Sequence, residues 1–94
     1  MTVEVTLLGV FKEAFGNGHI SLTLEPLRRL RDIIIRLTGY SHELGCVMID
    51  PELRDPRPNA VILVNGKEIG VLEGLETKVK DGDKIVFIPV THGG

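Results

Sequence analysis

Ninety-four residues, 43% of them hydrophobic, suit one globular domain with a single modest core. Eleven basic against thirteen acidic residues leave a formal net charge of -2, so the chain as a whole offers no electrostatic reason to bind nucleic acid or an anionic membrane. Cys46 alone excludes an internal disulfide, the N-terminus lacks a secretory layout, and no apolar run approaches the ~20 residues of a membrane-spanning helix, which together point to a reducing, cytoplasmic setting.

Thr2 to Val10 opens with period-2 alternation: Val3, Val5 and Leu7 lie on one side, Glu4 and Thr6 on the other, and Leu8 and Val10 then make the second side apolar too. Phe11 to Gly18 contains Lys12-Glu13 and Gly16-Asn17-Gly18, turn chemistry that tolerates positive φ. His19 to Leu24 is a second strand with Ile20, Leu22 and Leu24 in phase. The two strands are expected to form an antiparallel hairpin with a long connection.

Glu25-Pro26 reads as a helix start, with Leu27, Leu30, Ile34 and Leu37 at helical spacing and Gly39 as the stop. Burying those four side chains against a sheet contributes ~1.5–3 kcal/mol each before the entropy of ordering them. The outer face carries Arg28, Arg29, Arg31, Asp32 and Arg36, with Asp32 spaced to pair with Arg28 and Arg36. A solvated helix face is the simpler reading. The alternative, a docking patch, draws on Arg28 and Arg29 in the first turn, where the helix dipole disfavours cations.

Tyr40 to Asn59 is too long for a structureless loop in a compact domain, and Leu44, Val47 and Met48 suggest a short helix within it. Asp50-Pro51 and Asp55-Pro56-Arg57-Pro58 then enforce a turn-rich path. His42 and Cys46 are spaced to share a helix face, but two candidate ligands do not make a zinc site, and no metal is expected. Ala60 to Val64 is continuously apolar and mostly β-branched, as in a central strand covered on both faces. Asn65-Gly66 is a strong hairpin signal, followed by a return strand over Lys67 to Val71. Leu75 and Val79 are expected to anchor the next stretch, and Asp81-Gly82-Asp83 turns the chain into a last strand with Ile85 and Phe87 on one side, Val86 and Ile88 on the other.

This order predicts an α+β fold: a mixed sheet with one main helix packed on one face. The second face of the first, third and last strands is then left apolar and open, the kind of surface that docks another protein, unless the segment 40–59 folds over part of it. After Val90 the chain reads Thr91-His92-Gly93-Gly94. Gly93 and Gly94 follow no helix and precede no turn. What their missing Cβ atoms supply is slimness, so that a tail of residues 90–94 can thread a narrow channel and expose its terminal carbonyl carbon. At ~3.3 Å per residue, Thr91 to Gly94 reaches roughly 13 Å. A frayed terminus is the bland alternative.

Val64-Asn65-Gly66, Asp81-Gly82-Asp83, Phe87-Ile88-Pro89 and Gly93-Gly94, in this order and spacing, resemble the ubiquitin-like β-grasp sulfur carriers. That group includes the small subunit of molybdopterin synthase, the thiamine-pathway sulfur carrier, the ubiquitin-related modifier of tRNA thiolation and the small archaeal modifier proteins. Val90 stands where molybdopterin synthase small subunits usually carry a second proline, while His92-Gly93-Gly94 is similar to the ending of the ubiquitin-related modifier.

The resemblance implies a single β-grasp domain over 1–94 that is a carrier and not an enzyme. Gly94 would be the site of covalent attachment, His92 and Gly93 the tail-recognition residues, and Leu8, Phe87, Ile88 and Pro89 the partner-docking residues. It implies no permanently bound cofactor, with ATP consumed by an adenylating activating enzyme. Further partners would be a molybdopterin synthase large subunit, a tRNA thiolation enzyme, or target proteins. Read from the residues alone, the chain holds no nucleophile–base pair, no phosphate-cradling glycine loop and no metal set, in keeping with a non-catalytic role. Three functions are therefore carried forward: a sulfur carrier, a modifier joined through Gly94 to lysines, and a non-reactive interaction module.

Overall fold

In Thr2–Leu7 (β1) the alternation seen in the sequence becomes strict burial of Val3, Val5 and Leu7, with the intervening residues half-exposed. The computed structural model of the chain describes residues 1–25 and 28–90. Pro26, Leu27 and the tail from Thr91 to Gly94 lie outside the described residues. Antiparallel pairing of β1 with His19–Thr23 (β2) follows the expected hairpin, Val3 opposite Leu22 and Val5 opposite Ile20.

The connection is not a loop. Gly9–Phe15 forms a helix (α1) that buries Phe11 and ends at Gly16 in the left-handed conformation, whose N–H donates to the carbonyl of Lys12 at 2.9 Å. Phe11 and Phe15 are one helical turn apart, so burial of Phe11 overrides the turn chemistry of the residues around it.

Arg28–Arg29 (β3) pairs with Lys78–Val79 (β6), and the main helix begins only at Leu30 (α2, Leu30–Tyr40). The expected start at Glu25-Pro26 is therefore corrected, because the strand pairing claims the backbone first. Leu30 N–H donates to Thr77 O at 2.8 Å, and the Asp32 carboxylate accepts from the Arg29 amide at 3.0 Å, an acid in the first turn where the dipole favours it. Arg28 and Arg29 consequently lie before the first turn of the helix, with Arg29 as its N-cap. Asp32 and Arg36 form no ion pair among the described residues; Arg29 and Arg31 reach Glu76 instead. Gly39 does not stop α2 either. Ser41 does: its amide closes α2 on Leu37 O at 3.2 Å, and its hydroxyl accepts from Leu44 N–H at 3.1 Å to open His42–Met48 (α3).

Leu44 and Met48 of α3 are buried with Leu30, Ile33, Ile34 and Leu37 of α2 and Phe11 of α1 in the same core as Val5, Ile62, Ile85 and Phe87. All three helices thus serve one face of the sheet, and the segment 40–59 does not supply a helix to the other. The sheet runs in the order β2, β1, β7 (Lys84–Pro89), β4 (Ala60–Val64), β5 (Lys67–Glu68). β7 runs parallel to β1 and antiparallel to β4, which makes the sheet mixed. β4 is central but not covered on both faces: Ala60, Ile62 and Val64 are buried, whereas Val61 is exposed and Leu63 half-buried. Asn65 (φ 51) and Gly66 (φ 83) make the tight turn into β5, after which Ile69–Val71 coils as a short 3₁₀ turn where a longer strand was expected. Leu75 is partly buried against the core and Val79 fully buried, as their spacing suggested.

The asparagine of the hairpin and the aspartate turn before β7 bind each other. Asn65 Nδ2 donates to Asp83 Oδ1 at 2.9 Å, its Oδ1 accepts from Lys84 N–H at 2.9 Å, and the other Asp83 oxygen accepts from Lys80 N–H at 2.7 Å. Two motifs eighteen residues apart in the chain thus set the register with which β7 enters the sheet.

Candidate functional site

The end of β7 is where the chain leaves the sheet toward the diglycine, and three contacts fix that point. Leu8 N–H donates to Phe87 O at 3.2 Å, and Val90 N–H donates to Asn59 O at 2.9 Å. The Asn59 side chain is itself held, its Nδ2 donating to Met48 O at 3.1 Å. On the remaining side lies Gly9, at φ +53; a Cβ built there would come within 3.0 Å of the Pro89 ring. Gly9 is therefore demanded twice, by its backbone and by the proline packed on it.

Beside this exit lies the helix-free face of the sheet. Register places Val61 opposite Ile88 and Leu63 opposite Val86, an aliphatic strip across β4 and β7 that none of the three helices covers. Across β1 the same face turns polar. Glu4 lies opposite Ser21 and accepts from its hydroxyl at 2.6 Å, with His19 Nε2 3.3 Å from the same carboxylate. An apolar strip with a polar margin has the composition of a protein-docking surface.

The residues expected to dock a partner divide. Leu8 is 41% exposed, and Ile88 and Pro89 are half-buried, all at the exit of the tail. Phe87 is corrected: it is 0% exposed and packed in the core, because its side chain points to the helix side of β7 while Ile88 points away. It supports the strip from behind and offers a partner no side-chain surface. His92, Gly93 and Gly94 lie outside the described residues. Val61, Leu63 and Val86 were not singled out as docking residues from the sequence, although the alternation of β7 carried the signal for Val86.

Away from this site, His42 Nε2 and Cys46 Sγ are 3.5 Å apart on α3, and no group of three metal-ligating side chains occurs among the described residues. Hydrogen bonding from Arg57 holds the Asp55 carboxyl below the usual carboxylate range, and the same contact raises Arg57. None of the described helices is long and apolar enough to cross a membrane.

Residues 5–94 match the ThiS family. An Archaeoglobus fulgidus protein described as a candidate sulfur carrier is 43% identical over 83 residues, covering 86% of this chain and 90% of its own. Small archaeal modifier protein 3 of Haloferax volcanii is 27% identical over the full length of both chains. Among solved structures, the small archaeal modifier protein 1 of Methanosarcina acetivorans superposes with a TM-score of 0.84 at 32% identity, covering 99% of this chain and 96% of the other. A mixed sheet with helices on one face, a proline-marked exit beside an open aliphatic strip, and a match running through residue 94 make this chain a member of the ThiS family of ubiquitin-like β-grasp sulfur carriers and modifiers.

Proposed function

We propose that this chain carries sulfur as a thiocarboxylate on Gly94. The Gly94 carboxylate attacks the α-phosphorus of ATP on an activating enzyme and pyrophosphate leaves. A sulfide-equivalent nucleophile then adds to the carbonyl carbon, and AMP departs with the electron pair of the broken C–O bond. A carboxylate is inert to nucleophiles until adenylation gives its carbonyl carbon AMP as a leaving group, so the catalytic groups reside on the activating enzyme and the carrier contributes reach, slimness and docking. The sulfur would then pass to molybdopterin biosynthesis or to tRNA thiolation, through a synthase large subunit or a thiolation enzyme seated on the Val61–Ile88 strip. The observation that supports this reading most is that the family match extends to Gly94 while the described fold ends in a fixed exit for the tail.

A second reading, favoured by the full-length similarity to a small archaeal modifier protein, makes the adenylated Gly94 the acyl donor to lysine amines of target proteins. A non-reactive interaction module is the third. Mass spectrometry of the protein isolated from its own cells separates them. The carrier reading expects a fraction in which one oxygen at Gly94 is replaced by sulfur; amide-linked forms alone would favour the modifier, and failure to be adenylated by its activating enzyme would favour the module.

A further inference from the structure

We infer that Asn17 is a site of spontaneous deamidation at the tail-exit end of the sheet, while Asn65, which also precedes a glycine, is protected by the fold. The chain contains Asn17-Gly18 and Asn65-Gly66, both asparagines exposed. A following glycine has no side chain to shield its amide nitrogen, so that nitrogen can attack the carboxamide carbon of the asparagine before it. What separates the two sites is where each carboxamide is held.

Asn17 lies in the connection between α1 and β2, and its Oδ1 accepts from the His19 amide at 3.0 Å. This Asx turn folds the side chain back over the peptide that contains the Gly18 nitrogen. The His19 N–H is aimed at the oxygen on which negative charge develops during attack. Among the described residues nothing accepts from Asn17 Nδ2, the leaving nitrogen, and no carbonyl accepts from the Gly18 amide. Packing also demands the glycine: a Cβ at residue 18 would come within 3.0 Å of Lys12 Cδ and 3.2 Å of Leu7 O.

The reaction needs only water. The Gly18 nitrogen gives up its proton to hydroxide and bonds to Asn17 Cγ; the Cγ–Nδ2 bond breaks, and Nδ2 leaves as ammonia. One water then opens the succinimide, at Cγ to leave aspartate or at the backbone carbonyl of residue 17 to leave isoaspartate. At Asn65 the carboxamide is drawn away from its own following peptide. Its Nδ2 donates to Asp83 Oδ1 and its Oδ1 accepts from Lys84 N–H, each at 2.9 Å. Cyclisation there must break both bonds, so it waits for the hairpin to open.

The position gives the modification its consequence. Leu7 N–H donates to Gly18 O at 2.8 Å, and Leu7 lies opposite Phe87 in the parallel pairing of β1 with β7. Deamidation at residue 17 therefore adds a negative charge at the end of the sheet from which the tail leaves, and the isoaspartate product lengthens the backbone just before β2.

The test incubates the full chain at mildly alkaline pH, folded and in guanidinium chloride, and follows both asparagines by peptide mapping with mass spectrometry. Folding should slow Asn65 at least ~tenfold relative to the denatured chain and leave Asn17 as fast as it is there, or faster. Comparing each site with itself removes the effect of the differing residues before the two asparagines. Isoelectric focusing of the folded chain should show an acidic species growing in, and Asn17→Ser, whose hydroxyl can keep the turn, should abolish it. Equal slowing of both sites by folding would overturn the proposal, as would an Asn65 rate unaffected by folding or an acidic species that persists in Asn17→Ser.

Discussion

The amide of Val90 donates to the carbonyl of Asn59 at 2.9 Å, and no described residue lies beyond it. This bond ties the last β7 residues to the start of β4, so the reach of residues 91–94 is measured from a point fixed to the core and not from a fraying strand.

Removing Gly94 takes away no atom of the described core, so thermal stability should change little. Adenylation should collapse, because the carboxylate falls ~3.3 Å short of a site measured from the docked domain. Gly93→Val should act through width and stiffness instead of reach. Both variants are expected to bind the activating enzyme in a pull-down and to fail ATP–pyrophosphate exchange. Near-normal exchange by the shortened chain would remove Gly94 as the reactive group.

Ile88 and Phe87 are neighbours with opposite duties. Ile88→Asp should cost about 1 kcal/mol of stability, since its side chain is only half-buried, while reducing affinity for the activating enzyme or a large-subunit partner at least ~tenfold. Phe87→Ala should cost ~3–5 kcal/mol through the cavity it leaves. Urea unfolding alongside a binding titration distinguishes the two; outright unfolding of Ile88→Asp would place the docking surface elsewhere.

Gly9→Ala should destabilise the chain by about 1–2 kcal/mol, the penalty of a left-handed L residue, and should also push on the Pro89 ring 3.0 Å from the new methyl. A chemical-shift change at Pro89 and Val90 would report the second effect. A variant as stable as the parent would mean that neither the left-handed backbone at residue 9 nor the Pro89 contact carries the cost assigned to it.

At the other end of the sheet, Asn65→Ala removes two hydrogen bonds to the turn before β7 and a residue type that tolerates φ 51. A loss of about 2–3 kcal/mol is expected. Asn65→Asp should be worse at neutral pH, because it sets a second carboxylate against the buried Asp83. Thermal melts of the two variants at neutral and acid pH test the order.

Asp55 titrates lower in the folded chain than in the unfolded one, first through its hydrogen bonds from Arg57. The folded state therefore binds fewer protons, and the stabilisation is complete above the unfolded aspartate value near ~3.9 and disappears as pH falls through the folded value. The pair is at the surface, so the effect should stay below about 1 kcal/mol. Asp55→Asn should remove this part of the acid limb in urea melts taken across the acid range. An unchanged limb would show that the contact does not persist in solution.

Much of this protein was determined locally, and those parts were legible. Alternation in β1 and β7, the Asn65-Gly66 turn and the continuous apolar run of β4 are short-range consequences of pleat and turn geometry, which neighbouring residues dictate. The diglycine tail and the order of motifs before it carried the family resemblance on their own. Only tertiary structure decided where α2 begins, because the pairing of Arg28–Arg29 with Lys78–Val79 joins residues about fifty apart and outcompetes the local helix signal at Pro26. It decided that Phe11 draws a connection into a helix, since the gain lies in a core that the segment cannot see. The same physics set Phe87 inward and Ile88 outward: alternation says that the two differ, but which side is water follows from all three helices packing on one face of the sheet.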